Sequence, residues 1–203
     1  MKDILITSPA GSGNTFAVDL IRSNFFVEVN SIGHDLEIFE SGAPQMAIIR
    51  NPYESVASGT ERWIDTAGHK PFEGNPDVVP ITDIDGVKRA MGWEQKRYID
   101  LLKNIESFDN VKFVSFELLT ENQSAFLEEV RKFFEIESDS VYSSAQQSIQ
   151  NILDSDNANR VPREESEARK VIDELLAETY PKETWEAWKI YLDLKSKLNE
   201  AGL

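Results

Sequence analysis

Arg50, Pro52 and Ser58 stand in an R-x-P-x5-S arrangement that could hold a phosphate. The guanidinium is a permanently charged planar fork suited to a phosphate dianion, and a serine hydroxyl within two helical turns can donate beside it. A second candidate lies upstream, at Ser8-Pro9-Ala10-Gly11-Ser12-Gly13-Asn14-Thr15-Phe16. Its small residues would let the backbone approach a phosphate closely, and Ser12 and Thr15 would add hydroxyl donors. A helix starting near Asn14 would point its first N–H groups and positive dipole end at the anion. Two such places imply a nucleotide with two separate anionic ends. Each motif also has a plainer reading: a glycine-serine turn between a strand and a helix, and a strand-end arginine paired with a carboxylate, with Ser58 making a helix contact.

Elements of regular structure must carry both groups to one place. Ile4-Leu5-Ile6 reads as a strand feeding the glycine-serine turn, and Thr15 to Asn24 has helical spacing of apolar residues. Phe25 to Val29, Met46 to Arg50 and Val111 to Phe116 read as further strands. Asn51 and Pro52 are helix-start residues, so Arg50 is expected at a strand end with a helix following. Helices are predicted over Pro52 to Trp63, Asp85 to Ile105 and Gln123 to Phe134. Strands alternating with helices predict an α/β fold, a parallel β-sheet flanked by helices. Residues 65–84, rich in glycine and proline, read as an excursion that is either a lid or a segment without regular structure. Residues 137–203 read as mostly helical, broken by a polar loop holding Arg160 and Arg163. In the last helix, Lys182 to Asn199, the residues Trp185, Trp188, Leu192 and Leu198 are expected to form one apolar face.

The 203 residues, 40% hydrophobic, can bury one substantial core, and the expectation is a single domain over 1–203. There is no cysteine and there are two histidines, so thiolate catalysis and cysteine zinc sites are excluded and no metal is expected. With 21 basic and 36 acidic residues the formal charge is -15, which disfavours nucleic acid and anionic membranes as partners. Only Lys2, Arg22 and Arg50 are basic among the first sixty residues. No window approaches the roughly 20 apolar residues of a membrane span, and the expectation is a soluble, cytoplasmic protein.

Taken together, the segments resemble the sulfotransferases that use 3'-phosphoadenosine 5'-phosphosulfate. Ser12-Gly13-Asn14-Thr15-Phe16 is similar to that family's 5'-phosphosulfate loop, and Arg50, Pro52 and Ser58 match its 3'-phosphate motif. Phe116-Glu117-Leu118-Leu119 is similar to its Y-E-D-L segment, and Phe133-Phe134-Glu135-Ile136 to its F-L-G-hydrophobic ending. The resemblance covers roughly residues 4 to 136. It implies a P-loop-type, sulfotransferase-like fold and transfer of a sulfuryl group to a hydroxyl or amine of a small-molecule or carbohydrate acceptor, leaving 3',5'-adenosine bisphosphate. It implies that Gly11, Ser12, Gly13, Asn14, Thr15 and Phe16 cradle the 5' end, that Arg50 and Ser58 hold the 3'-phosphate, with Arg160 or Arg163 assisting, and that Glu117 is structural.

Where the family usually has lysine or arginine before the S-G of the loop, this chain has Gly11. The missing cation would have met charge developing on the leaving phosphate, and Arg22, Lys70 or Arg160 are the candidates to replace it. Transfer also needs a base for the acceptor's proton. His34 lies close to where many members place theirs; Asp35 and Glu37 come next, and His69 in the excursion could reach the site only on closure. Two other functions stay open. A catalytically silent module binding adenosine bisphosphate is compatible with Gly11, whereas a P-loop nucleotide kinase or hydrolase is disfavoured because Asn14 stands where its loop lysine belongs.

Overall fold

The computed structural model describes residues 3–9, 12–31, 42–67, 84–106, 108–137 and 166–201. In chain order these form β1 (Asp3–Thr7), α1 (Asn14–Asn24), β2 (Glu28–Ser31), β3 (Gln45–Ile49), α2 (Pro52–Ala67), α3 (Ile84–Ile105), β4 (Val111–Ser115), α4 (Phe116–Glu121), α5 (Gln123–Phe133), α6 (Glu167–Thr179) and α7 (Glu186–Ala201). The four strands make one parallel sheet in the order β2-β1-β3-β4. From β1 the chain crosses outward to β2 through α1, then returns to the other side of β1 to start β3. The order therefore reverses between β1 and β3, and in open parallel sheets a crevice forms at the carboxyl ends of such a pair.

Alternating side chains along the strands supply two cores. Ile4, Ile6, Met46, Ile48 and Val114 face one side, packed by Leu20 and Ile21 of α1 and by Phe126 and Val130 of α5. Ala47 and Ile49 face the other, against Val56 and Ala57 of α2, Tyr98 and Leu102 of α3, and the helices α6 and α7. Every residue of β3 is buried, as a central parallel strand covered on both faces requires.

Local chemistry explains where the boundaries differ from expectation. The second strand begins at Glu28 because Phe25 is spent ending α1: its extended backbone donates N–H to the Ile21 carbonyl at 2.9 Å, and Phe26 is exposed. Phe116 opens α4 instead of closing β4, because the Ser115 hydroxyl accepts the Leu118 N–H at 3.1 Å and caps the helix. Helix α2 continues past Trp63 to Ala67. In α7 the inward residues are Ala187, Tyr191, Leu194 and Leu198, while Leu192 is exposed, one step of about 100° away from Tyr191. Helix α5 ends in a Schellman pair, Ile136 N–H to Arg131 O at 2.9 Å and Glu135 N–H to Lys132 O at 3.2 Å. That motif places Glu135 at φ 49°, a left-handed position glycine usually takes.

Among the described residues no helix is long and apolar enough to cross a membrane.

Candidate functional site

The loop after β1 and the turn after β3 leave neighbouring strands at the same sheet edge. In the loop, Ser12 is buried and donates its N–H back to Pro9 O at 3.2 Å. Gly13 follows at φ 77°, ψ 18°, and its carbonyl accepts the Ala17 N–H at 2.9 Å, the first bond of α1. As the N-cap of α1 it offers no side-chain acceptor to the first-turn amides, and the positive end of the helix dipole faces the loop side. Thr15 is exposed and Asn14 half-buried, whereas Phe16 packs partly against the first core.

The second strand end is built from the Asn51-Pro52 start of α2. Asn51 Oδ1 accepts the Tyr53 N–H at 2.9 Å, and Pro52 occupies the first helical position, where no N–H is needed. Arg50 is anchored at its backbone: the buried Tyr98 hydroxyl donates to its carbonyl at 2.8 Å. Its guanidinium carbon lies 4.4 Å from the centroid of the Phe116 ring.

Two contacts weld the strand ends together. Ser12 Oγ lies 3.4 Å from Ser55 Oγ in the first turns of α2, both residues being buried. Phe116 touches both motifs, because a Cβ on Gly13 would fall 2.9 Å from its ring while Arg50 covers the same ring. The loop, the ring and the arginine thus form one packed unit.

A third part of the site comes from α6. Glu54 Oε2 accepts from Arg50 at 3.1 Å and from Arg169 at 2.7 Å. Arg169 also donates through Nε to both oxygens of Asp173, at 2.9 and 3.1 Å. Burial lowers the Arg50 pKa; Glu54 works against that lowering and Arg169 adds to it. For Arg169, burial is the largest influence and acts downward, but the hydrogen bonds to Glu54 and Asp173 outweigh it and raise the pKa. Ser58 is half-buried and follows Glu54 by four residues, so both share a face of α2 with Arg62, whose charge also bears on Arg50.

The structure brings Ser12, Gly13, Asn14, Arg50 and, one turn along from Glu54, Ser58 to one edge of the sheet. Gly11, His34, Arg160 and Arg163 lie outside the described residues, as do Asp35, Glu37, His69 and Lys70. Arg22 does not replace the loop cation. It sits in the last turn of α1, roughly 12 Å along the axis from the helix start, and donates to the Val29 carbonyl at 2.5 Å. Glu117 Oε1 lies 3.9 Å from Lys195 Nζ, linking α4 to α7.

Sequence reasoning did not single out Arg169. Its local signal is the Ser166-x-x-Arg169 helix start, in which Ser166 Oγ accepts the Arg169 N–H at 3.0 Å, and Ser166 in turn donates to Glu61 of α2. Nothing in that signal says which helix α6 will meet. Among the described residues no group of three or more histidine, cysteine, aspartate or glutamate side chains is placed to hold a metal ion.

No family model matches the chain, and no curated protein matches it. Among solved structures it is similar to mouse sulfotransferase SULT7A1, crystallised in complex with PAP, with a TM-score of 0.54 and 15% identity. The match covers 74% of this chain and 64% of that one, so the chain spans less than two thirds of the length of the protein it matches. At that identity the likeness is one of fold: the chain has a sulfotransferase-like fold, a parallel sheet flanked by helices.

Proposed function

We propose that this protein binds 3'-phosphoadenosine 5'-phosphosulfate and its product 3',5'-adenosine bisphosphate, and that it transfers the sulfuryl group to a hydroxyl or amine of a small-molecule or carbohydrate acceptor. One observation carries the reading: the donor-rich loop after β1 and the Arg50 turn after β3 meet at the switch point of the sheet, joined by the Ser12–Ser55 contact at 3.4 Å. The residues fit such a ligand. Gly13 lets the backbone curl at the α1 N-terminus, and two guanidinium groups, Arg50 and Arg169, converge on one point where an oxyanion can be held. The fold of a protein crystallised with PAP supports the same assignment.

On this reading Ser12, Gly13, Asn14 and Thr15 hold the 5' end, with Gly11 and Phe16 flanking them. Arg50, Ser58 and Arg169 hold the 3'-phosphate, with Arg160 or Arg163 as further contacts. The donor supplies a sulfuryl group on a phosphate leaving group. The α1 N-terminus stabilises negative charge gathering on that phosphate oxygen, and His34 takes the proton that the acceptor loses.

Gly11 favours a second reading, a binding module without turnover, because the loop lacks the cation that would face the leaving phosphate. The first test is thermal unfolding with 3',5'-adenosine bisphosphate, with 5'-AMP and ATP–magnesium as comparisons. Ligand near 100 times its dissociation constant adds about 2.7 kcal/mol of stability. Stabilisation specific to the bisphosphate and lost in Arg50→Ala is expected; a response to ATP–magnesium alone would sink the reading. Sulfuryl release from the donor, measured on the same sample, separates the enzyme from the silent module.

A further inference from the structure

The point at which Arg50 and Arg169 converge is already taken by a carboxylate of the chain itself. A single oxygen, Glu54 Oε2, accepts from both guanidinium groups, at 3.1 and 2.7 Å. The arginine side chains are 19% and 16% exposed, whereas Glu54 is 46% exposed. The two cations are thus held by other contacts, one by packing on the Phe116 ring and one by its ion pair with Asp173, while the carboxylate between them has water to swing into.

We propose that Glu54 is a resident anion of this site: it keeps the two arginines converged, and an incoming phosphate must displace it to bind. The proposal rests on the reading of Arg50 as a phosphate contact. Charge arithmetic gives the reason. The charges bearing on the two forks, Arg50, Arg169 and Arg62 against Glu54, Asp173 and Glu117, sum to zero, so a phosphate dianion added to the intact cluster meets no net attraction. With Glu54 turned out to solvent the same dianion meets a net positive charge and two forks aimed at one point. Asp173 is not the group displaced, because its ion pair with Arg169 runs through Nε and leaves the NH2 directed at Glu54. Displacement makes the site selective: a terminal phosphate brings two charges and several acceptor oxygens against one carboxylate, while a monoanionic carboxylate ligand merely exchanges like for like.

Calorimetric titration tests this with two probes, 3',5'-adenosine bisphosphate and inorganic phosphate, each against the parent protein, Glu54→Gln and Glu54→Ser. Both variants remove the competing charge, so a folding defect in one does not decide the outcome. About tenfold tighter binding of the bisphosphate and of inorganic phosphate is expected in both, with the gain lost when Arg50→Ala is added. Unchanged or weaker binding of both probes in both variants overturns the proposal and leaves Glu54 as a brace for the arginines. Tighter inorganic phosphate with no bisphosphate binding by any form upholds the role of Glu54 and overturns the nucleotide reading instead. Bisphosphate binding that depends on Arg50 but is weakened in both variants does the reverse. Binding of neither probe by any form overturns both.

Discussion

Gly13→Ala probes the packed unit formed by the loop, Phe116 and Arg50. Two costs arise at this position. The backbone sits at φ 77°, where an L side chain pays about 1–2 kcal/mol. The added methyl would also lie 2.9 Å from Phe116 Cε2 and 3.0 Å from Leu119 Cδ2. Neither is the loose end of a flexible chain: Leu119 is fully buried, and the Phe116 ring packs against the first core with Arg50 on it. Overpacking of that kind costs roughly 1–3 kcal/mol, and the stiffer unfolded chain of the variant returns a few tenths. The sum is about 2–4 kcal/mol, a fall in Tm of roughly 5–15 °C for a chain of this size. Differential scanning calorimetry on Gly13→Ala, Phe116→Leu and the double variant separates the two costs. The smaller leucine should relieve the clash but not the φ strain, giving a coupling of about 1–2 kcal/mol. Stabilisation by 3',5'-adenosine bisphosphate should weaken in Gly13→Ala, because the displaced ring pushes on Arg50. A Gly13→Ala protein within about 0.5 kcal/mol of the parent, or strictly additive changes, would refute the idea that one ring couples the two motifs.

Three further outcomes are expected. Tyr98→Phe removes the donor to the Arg50 carbonyl and should cost about 1–2 kcal/mol at pH 8 in urea unfolding. Burial raises the Tyr98 pKa well above its ordinary value, so its contribution is present below the unfolded pKa of about 10 and lost as pH rises beyond it; the gap to the variant should narrow between pH 10 and 11, and a constant gap would contradict the assignment. Gly59→Ala should destabilise by about 2–4 kcal/mol, since its Cβ would sit 2.8 Å from Cδ and Oε2 of Glu94, a buried carboxylate pinned by Trp63 Nε1 at 2.6 Å and Arg97 at 3.1 Å. Adding Glu94→Ala should make the double variant less costly than the two singles summed, again read by urea unfolding. Glu135→Gly should instead raise stability by about 0.5–1 kcal/mol by relieving the left-handed φ of 49°, and an unchanged or lower Tm would show that Glu135 makes compensating contacts.

The strand-to-helix joint at Arg50 was legible because all its signals are local: an apolar run, an arginine, an N-cap asparagine and a proline. The sheet was legible for a similar reason, since buried parallel strands read as apolar runs separated by amphipathic helices. What escaped depends on direction or on distance. Phe116 continues the apolar run of β4, and only the Ser115 hydroxyl turns it into the first residue of a helix. Leu192 is apolar and lies beside inward residues, yet the rotation of α7 sends it outward. The link from Arg50 through Glu54 to Arg169 crosses 115 residues between its last two members, and no spacing in the sequence encodes it.

That separation has a consequence for how the molecule is made. At about 5–20 residues per second, Arg169 follows Glu54 off the ribosome by roughly 6–23 s. The indole rings of Trp185 and Trp188 that pack on Tyr53, and the Tyr180 carbonyl that accepts the Tyr53 hydroxyl, come later still. Through that interval a nascent chain can pair β1, β3 and β4, yet the α2–α3 layer lies bare where Ile172, Leu176, Leu194 and Leu198 will cover it. Newly made chains are therefore most adhesive just before α6 and α7 emerge, and Glu54 gains its second arginine at the same moment that the exposed layer is sealed.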